Sequence, residues 1–407
     1  MQKKRIHILF FAINIKNGVV RITMNFLFFS AQFLPHMGGV ENYTYNISKK
    51  LIEYGHQVTV VTSNTTKSPS IEIYEGINVF RLDCYNLLNG RFPIYKKNKI
   101  FRDIFKRLDQ QNYDFCIINT RFYFHSLLGA KYTYKRSIPR IVIDHGTSHL
   151  TVHNKLLDYM GEKFEHYLTW QLKKYCKNYY GVSKASSKWL GHFGITSKGE
   201  IYNAIDLDRI ENIKGHYKGE FRKDHGIPED SIVVSYTGRL IKEKGIIQLI
   251  RAIQEYNNQS GEKLYLCLAG EGPLQSFIDE HTSEFIHYLG RLTFEQVICF
   301  LKNSDIFVLP SDSEGFSTSL LEAAACKNYI ITTLRGGAKE LLPDDTYGIV
   351  IENNDLDSIY NAIKDALNHR DKKNATSKAF ERVKSNFTWD VTSRKLLEIS
   401  QSKFLNP

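Results

Sequence analysis

Glu314 and Glu322 are the residues whose type and spacing most directly suggest chemistry. They bracket the run Ser311-Asp312-Ser313-Glu314-Gly315-Phe316-Ser317-Thr318-Ser319-Leu320-Leu321-Glu322, which follows a short apolar stretch at 306–309 and Pro310. An apolar strand running into a polar loop and then a helical pattern puts Glu314 in the loop and Glu322 in the helix. The unpaired N–H groups of the first helical turn, near 315–318, can receive anionic or hydroxyl oxygens. One carboxylate can then take hydrogen bonds from sugar hydroxyls and the other from a ribose. Taken alone, the same two residues also fit a helix cap and a solvated surface glutamate. The strand before Glu314 and Gly315-Phe316 after it weigh against that plainer reading.

Positioning such a loop requires a strand-loop-helix alternation, and the sequence has it twice. In the first half, an apolar strand at 26–31 leads through Gly38-Gly39 into a helical pattern at 42–54, closed by Gly55, and then a strand at 57–62. Short apolar runs recur at 115–118 and 141–143. The alternation restarts with strand 232–236, helix 246–256, strand 264–269, helix 273–280, strand 306–309 and helix 318–326. Repeated βαβ units predict parallel, doubly wound α/β sheets. Residues 202–230 mix Gly, Asp, Asn and Pro with weak periodicity, so the domain boundary is expected near Asn203. Ligands of open α/β sheets bind beyond the carboxyl ends of the strands, and two facing domains make a cleft there.

A chain of 407 residues exceeds the size at which one core keeps growing, and 42% hydrophobic against 24% charged residues is a globular composition. The net charge of +11 is uneven: residues 1–200 hold 29 Lys and Arg against 13 Asp and Glu, whereas residues 201–407 hold 25 against 30. A basic first half suggests an anionic partner. The six cysteines show no Cys-x-x-Cys and no histidine pairing at zinc spacing, so they read as reduced cytosolic thiols. No apolar stretch reaches the ~20 residues of a membrane span. Lys3-Lys4-Arg5 before the apolar run 6–13 mimics a signal peptide without a convincing cleavage site. Residues 1–23 are therefore expected to be a peripheral extension, and the protein to be cytoplasmic.

The run around Glu314 resembles the Glu-x7-Glu hallmark of the retaining glycosyltransferases of family 4. The resemblance extends over nearly the whole chain from Met24. It includes Gly38-Gly39-Val40-Glu41, Val182-Ser183, Asn203-Ala204-Ile205-Asp206, Thr237-Gly238-Arg239-Leu240 with Lys244-Gly245, Ala269-Gly270-Glu271-Gly272-Pro273 and Phe387-Thr388-Trp389. It implies the GT-B fold, two facing Rossmann-like domains, here an acceptor domain at 24–203 and a nucleotide-sugar-binding domain at 204–386, with a C-terminal crossover helix at 387–407. It also implies transfer of a sugar from a UDP- or GDP-sugar to a glycan or polyprenyl diphosphate-linked acceptor, as in surface polysaccharide synthesis.

By that resemblance Arg239 and Lys244 bind the donor diphosphate, and two cations would stabilise the charge that grows as the glycosidic bond breaks. Gly38 and Gly39 would let the first-domain backbone approach the phosphates, although an ordinary glycine turn fits the two residues equally. His145, in Asp144-His145-Gly146-Thr147, matches the family histidine that reaches the donor sugar; a loop histidine satisfied by backbone is the alternative. Gly315, Phe316, Ser317 and Glu322 complete the expected donor contacts. Retention implies no enzyme nucleophile, so Glu314 is expected to position the sugar and stabilise positive charge at the anomeric carbon.

No cofactor and no metal are expected. Asp206-Leu207-Asp208 and Asp355-Leu356-Asp357 match a metal-binding Asp-x-Asp only formally and read as turn and capping residues. The segment 94–108 combines an apolar stripe (Phe101, Ile104, Phe105, Leu108) with Lys96, Lys97, Lys99, Arg102, Lys106 and Arg107, which fits either an anionic membrane or packing on its own sheet. A nucleic-acid-binding protein would share the basic first half, but no RNA-recognition or zinc signature is present. A nucleotide-sugar epimerase on the same scaffold would need a different arrangement of carboxylates and histidines.

Overall fold

The computed structural model describes residues 12–16, 19–36, 38–88, 90–151, 154–217 and 219–402. Two sheets dominate it. The first runs in the order Tyr179–Gly181, Arg140–Asp144, Phe115–Asn119, Asn25–Phe29, Gln57–Ser63, Ile77–Leu82, Ile71–Tyr74, parallel throughout except for the Ile71–Tyr74 edge. The second is wholly parallel: Ile286–Tyr288, Leu264–Ala269, Ile232–Thr237, Ile306–Leu309, Tyr329–Thr333, Ile349–Ile351. Each is apolar on both faces because helices cover both. Phe26, Leu27, Phe28 and Phe29 are all fully buried, which is why these strands read as continuous apolar runs.

The chain winds outward in both directions from a central pair in each sheet. The order reverses between Asn25–Phe29 and Phe115–Asn119 in the first sheet, and between Ile232–Thr237 and Ile306–Leu309 in the second. A crevice opens at such a reversal because the loops beyond the two strands leave in opposite directions. Gly38-Gly39 follows one of these four strands, Arg239 and Lys244 another, and Glu314 a third.

The C-terminal helix Trp389–Gln401 returns to the first domain. Trp389 and Leu396 are buried among Phe26, Phe28, Tyr43 and Ile47, and the Tyr54 hydroxyl donates to Asp390 at 2.8 Å. Backbone bonds between Ile205 and both Phe387 and Trp389 hold the two crossings together.

Several local expectations change. The segment 94–108 is not one helix: Phe92–Tyr95 is a strand and Lys99–Leu108 a helix capped by Asn98. Ile104 and Leu108 are fully buried in the first-domain core, with Phe101 and Phe105 stacked beside them, so this stripe is unavailable to a membrane. The boundary segment contains helix Leu207–His216 with Ile210 fully buried, against the expectation of irregular structure. Asp206 and Asp355 each accept a first-turn N–H as helix N-caps, from Arg209 and Ser358, the capping role expected of them. Of the proposed extension, residues 1–11 and 17–18 lie outside the described residues, and Ala12–Lys16 pairs antiparallel with Val19–Thr23.

Leu396→Ala should destabilise the protein by about 2–5 kcal/mol in chemical denaturation, as for deletion of any fully buried leucine, although it lies near the end of the chain. A loss under ~1 kcal/mol would mean that the helix is only loosely docked.

Candidate active site

Two adjoining cavities, of about 1150 and 510 Å³, occupy the crevice. The smaller is lined chiefly by the second domain: Gly238, Arg239, Lys244, the loop Glu314 to Ser319, and Glu322, closed from the other side by Gly39, His145, Val182 and Asn203. The larger opens onto the first domain. Every sequence candidate lines one cavity or the other.

Glu314 is held from both sides. Its carboxylate pairs with the Lys244 ammonium and accepts from the Ser311 hydroxyl at 2.8 Å. Its carbonyl oxygen accepts from the Thr147 hydroxyl of the first domain at 2.7 Å. A Cβ at Gly315 would strike the His145 carbonyl oxygen, so only glycine lets the two loops touch. The Asn203 amide donates to the Phe316 carbonyl at 2.8 Å, and the Lys184 N–H to Glu340 at 2.6 Å. The two domains thus meet through specific polar contacts.

Lys244 does not stand in the helix. It ends the short 3-10 turn Lys242–Lys244, and Gly245, in the left-handed region at φ 69°, caps helix Ile246–Gln259. Its pairing with Glu314 makes it a shared cation rather than a separate one. Arg239 is exposed to both cavities, and no hydrogen bond or ion pair holds its guanidinium among the described residues. Helix Thr318–Ala325 starts at Ser317, whose hydroxyl bonds Ser319 at 2.8 Å and does not cap the helix. Its first N–H groups are therefore left for a ligand.

Glu322, one helical turn and a half inward, faces both cavities, and desolvation pushes its carboxyl up to about 7. The Phe316 ring is buried against Phe387 and Tyr202, which leaves its backbone to face the smaller cavity. Gly38 borders the larger cavity, and a Cβ there would run into the Glu41 carboxylate, whereas Gly39 has nothing within 4 Å and opens onto both cavities. Glu41 stands buried in the first turn of helix Gly39–Glu53, and that burial pushes its carboxyl up.

His145 is neutral, because burial pushes its imidazole down to about 3. Its tautomer follows from its neighbours. Thr44 donates to the Val40 carbonyl and so accepts from the Asn119 amide, which leaves the Asn119 oxygen 3.2 Å from His145 Nε2. Nε2 must carry the proton, and Nδ1 is an acceptor. Its proton is spent on Asn119, so toward the cavity it offers an acceptor.

Sequence reasoning missed Glu41, Asn119 and Thr147. Glu41 and Thr147 stood in the quoted runs Gly38-Gly39-Val40-Glu41 and Asp144-His145-Gly146-Thr147 without a role, and Asn119 left no signal.

Two family profiles match the chain: "Glycosyltransferase Family 4" over residues 37–209 and "Glycosyl transferases group 1" over 218–383. An uncharacterised glycosyltransferase of Methanocaldococcus jannaschii is 25% identical, covering 92% of this chain and 97% of its own. The phosphatidylinositol N-acetylglucosaminyltransferase GPI3 subunit of Saccharomyces cerevisiae is 27% identical over 90% of this chain and 80% of its own. Among solved structures, Anabaena HepE in complex with UDP and glucose shares the fold, with a TM-score of 0.68 at 18% identity over 92% of this chain and 99% of that one.

The Glu322 carboxyl has an ordinary value of 4.5. Between pH 4.5 and 7 the folded chain therefore binds this proton and the unfolded chain does not, so stability falls as pH rises through that window. Relative to Glu322→Gln, the wild type should lose about 1–3 kcal/mol between pH 5 and 8 in urea titrations. An unchanged difference would mean that the carboxylate is solvated.

Proposed function

Because the chain belongs to the family 4 glycosyltransferases with the GT-B fold, we propose that it moves a sugar from a nucleoside diphosphate donor to a hydroxyl of a lipid-linked acceptor, with retention at the anomeric carbon and no catalytic metal. The observation that carries this reading is the convergence of Arg239, Lys244, the open start of helix Thr318–Ala325 and two carboxylates on one cavity of about 510 Å³. Two cations and a helix N-terminus suit a diphosphate, and carboxylates suit hydroxyls.

In this reading the diphosphate lies against Arg239 and the Thr318 turn, with Glu322 on the ribose and Glu314 on the sugar. Lys244 bridges Glu314 and the phosphate. The bond from the anomeric carbon to the phosphate oxygen breaks, and the acceptor oxygen bonds to the same face. The acceptor proton passes to the departing phosphate oxygen. Arg239 and Lys244 stabilise the negative charge that develops there, and Glu314 the positive charge at the anomeric carbon. His145 Nδ1 accepts a hydrogen bond from a sugar hydroxyl.

The acceptor side is the larger cavity, bordered by the first domain. No described helix is long and apolar enough to cross a membrane. Helix Lys155–Lys173, however, presents an exposed stripe of Leu156, Met160, Tyr167 and Trp170 beside Lys155, Lys163 and Lys174. Apolar and aromatic side chains flanked by lysines suit an anionic leaflet, and this helix replaces Lys99–Leu108 in that role. Surface polysaccharide assembly at the cytoplasmic face would supply a polyprenyl diphosphate-linked acceptor. Glycolipid synthesis, the activity named for the yeast relative, would supply a lipid of another kind. Both present a hydroxyl at a leaflet.

A thermal-shift panel of UDP- and GDP-sugars should identify a stabilising donor, and NMR of the transfer product should show the donor's anomeric configuration; an inverted product would refute retention. Added Mg²⁺ or Mn²⁺ should leave the rate unchanged. Arg239→Ala and Glu314→Gln should each lower kcat/KM by about 10²–10³-fold. Co-sedimentation with anionic vesicles should drop for Met160→Glu/Trp170→Glu and persist after charge reversal on helix Lys99–Leu108; the opposite pattern would remove helix Lys155–Lys173 from the account.

A further inference from the structure

Outside the crevice chemistry, three histidines far apart in sequence come together on the first domain. His149 lies in the loop after strand Arg140–Asp144, His166 on helix Lys155–Lys173, and His192 in the 3-10 turn Gly191–Phe193. His192 Nε2 is 3.3 Å from His149 Nε2 and 3.2 Å from His166 Nε2, and ring nitrogens of all three lie within 4.8 Å of one another. Nitrogens bound tetrahedrally at about 2.05 Å from one zinc ion sit roughly 3.3 Å apart.

Proton counting points the same way. His149 Nδ1 is 3.0 Å from Glu165 Oε2, and an ionised carboxylate only accepts, so Nδ1 carries the proton. In that tautomer His149 presents a bare lone pair at Nε2. A proton on His192 Nε2 can satisfy either this lone pair or His166, but not both well. A cation at the centre accepts all three.

The second layer has the form metal ligands require. A carboxylate that fixes the tautomer of a histidine by its far nitrogen is the usual support of a metal-bound imidazole. Glu165 is buried and itself immobilised: it accepts from Arg121 at 3.1 Å and from the Leu150 N–H at 2.8 Å, and Arg121 also pairs with Asp144 at 2.9 Å. The Trp189 ring stacks on His192 at 4.6 Å, which limits rotation of that ligand.

We propose that His149, His166 and His192 form a site for one divalent transition-metal ion of the imidazole-preferring class, zinc foremost, with the fourth position left to water. Its place suggests a clasp. It joins the loop that carries His145 and Thr147, and through Thr147 touches Glu314, to the helix proposed to meet the membrane. The site does not depend on the proposed reaction and supplies no step of it.

The test uses tag-free full-length protein, stripped with chelator, exchanged into buffer containing Zn²⁺ and desalted. Metal content by inductively coupled plasma mass spectrometry should be one zinc per chain, and the thermal midpoint should rise with Zn²⁺. His192→Gln and His166→Gln should each reduce bound zinc at least tenfold and abolish the rise, while the midpoint of the stripped protein stays the same. His192 is exposed, so its variant tests the site even if His166→Gln folds poorly. Zinc-free wild type, or equal zinc in the wild type and the His192 variant, would overturn the proposal.

Discussion

Two loops pressed backbone to backbone across the crevice determine everything else in the site. Gly315 touches the His145 carbonyl, and Thr147 donates to the carbonyl of Glu314. The carboxylate most central to the cavity is thus located partly by the opposite domain. A side chain at 315 would force the walls apart by the width of that contact. Because the loops are the ends of strands Arg140–Asp144 and Ile306–Leu309, both wholly buried within their sheets, the crevice inherits the rigidity of two cores.

The electrostatics of the crevice are graded rather than uniformly positive. Lys244 is neutralised by Glu314, Arg239 is open, and desolvation pushes the Glu322 carboxyl up to about 7. The first-domain helix Gly39–Glu53 carries an acidic residue, Glu41, in its own first turn, which disfavours an anion there. An anionic ligand is therefore drawn to the second domain, where one unpaired cation and an uncapped helix coincide. The neutral tautomer of His145 adds an acceptor and no charge. This asymmetry gives the two cavities different chemistry although they share a wall.

The alternation of strand and helix was readable because parallel strands buried on both faces leave continuous apolar runs, and Leu264–Ala269 and Ile306–Leu309 show this most clearly. Strands such as Ile71–Tyr74 and Cys84–Leu87, exposed and short, leave no such trace. Helix Leu207–His216 was hidden because it buries mainly Ile210 and carries the Asp, Asn and Gly of a loop. At the site, Glu314, Lys244, Arg239 and Glu322 could be read from an ordered set of motifs. The Phe316 ring could not, since an aromatic after a loop glycine looks alike whether it faces a ligand or a core. Nor could the Thr44-Asn119-His145 relay or the three-histidine cluster, whose members are brought together by folding alone. His149 does stand four residues from both His145 and His153, a spacing the reading of the cysteines passed over, but its partners His166 and His192 are brought to it by folding.

The most direct measurement is a crystal structure of the protein soaked with a nucleoside diphosphate. The account predicts phosphate oxygens bonded to the Arg239 guanidinium and to the first N–H groups of helix Thr318–Ala325, with the ribose hydroxyls on Glu322. A diphosphate seated anywhere else, with Arg239 and Glu322 both untouched, would contradict it.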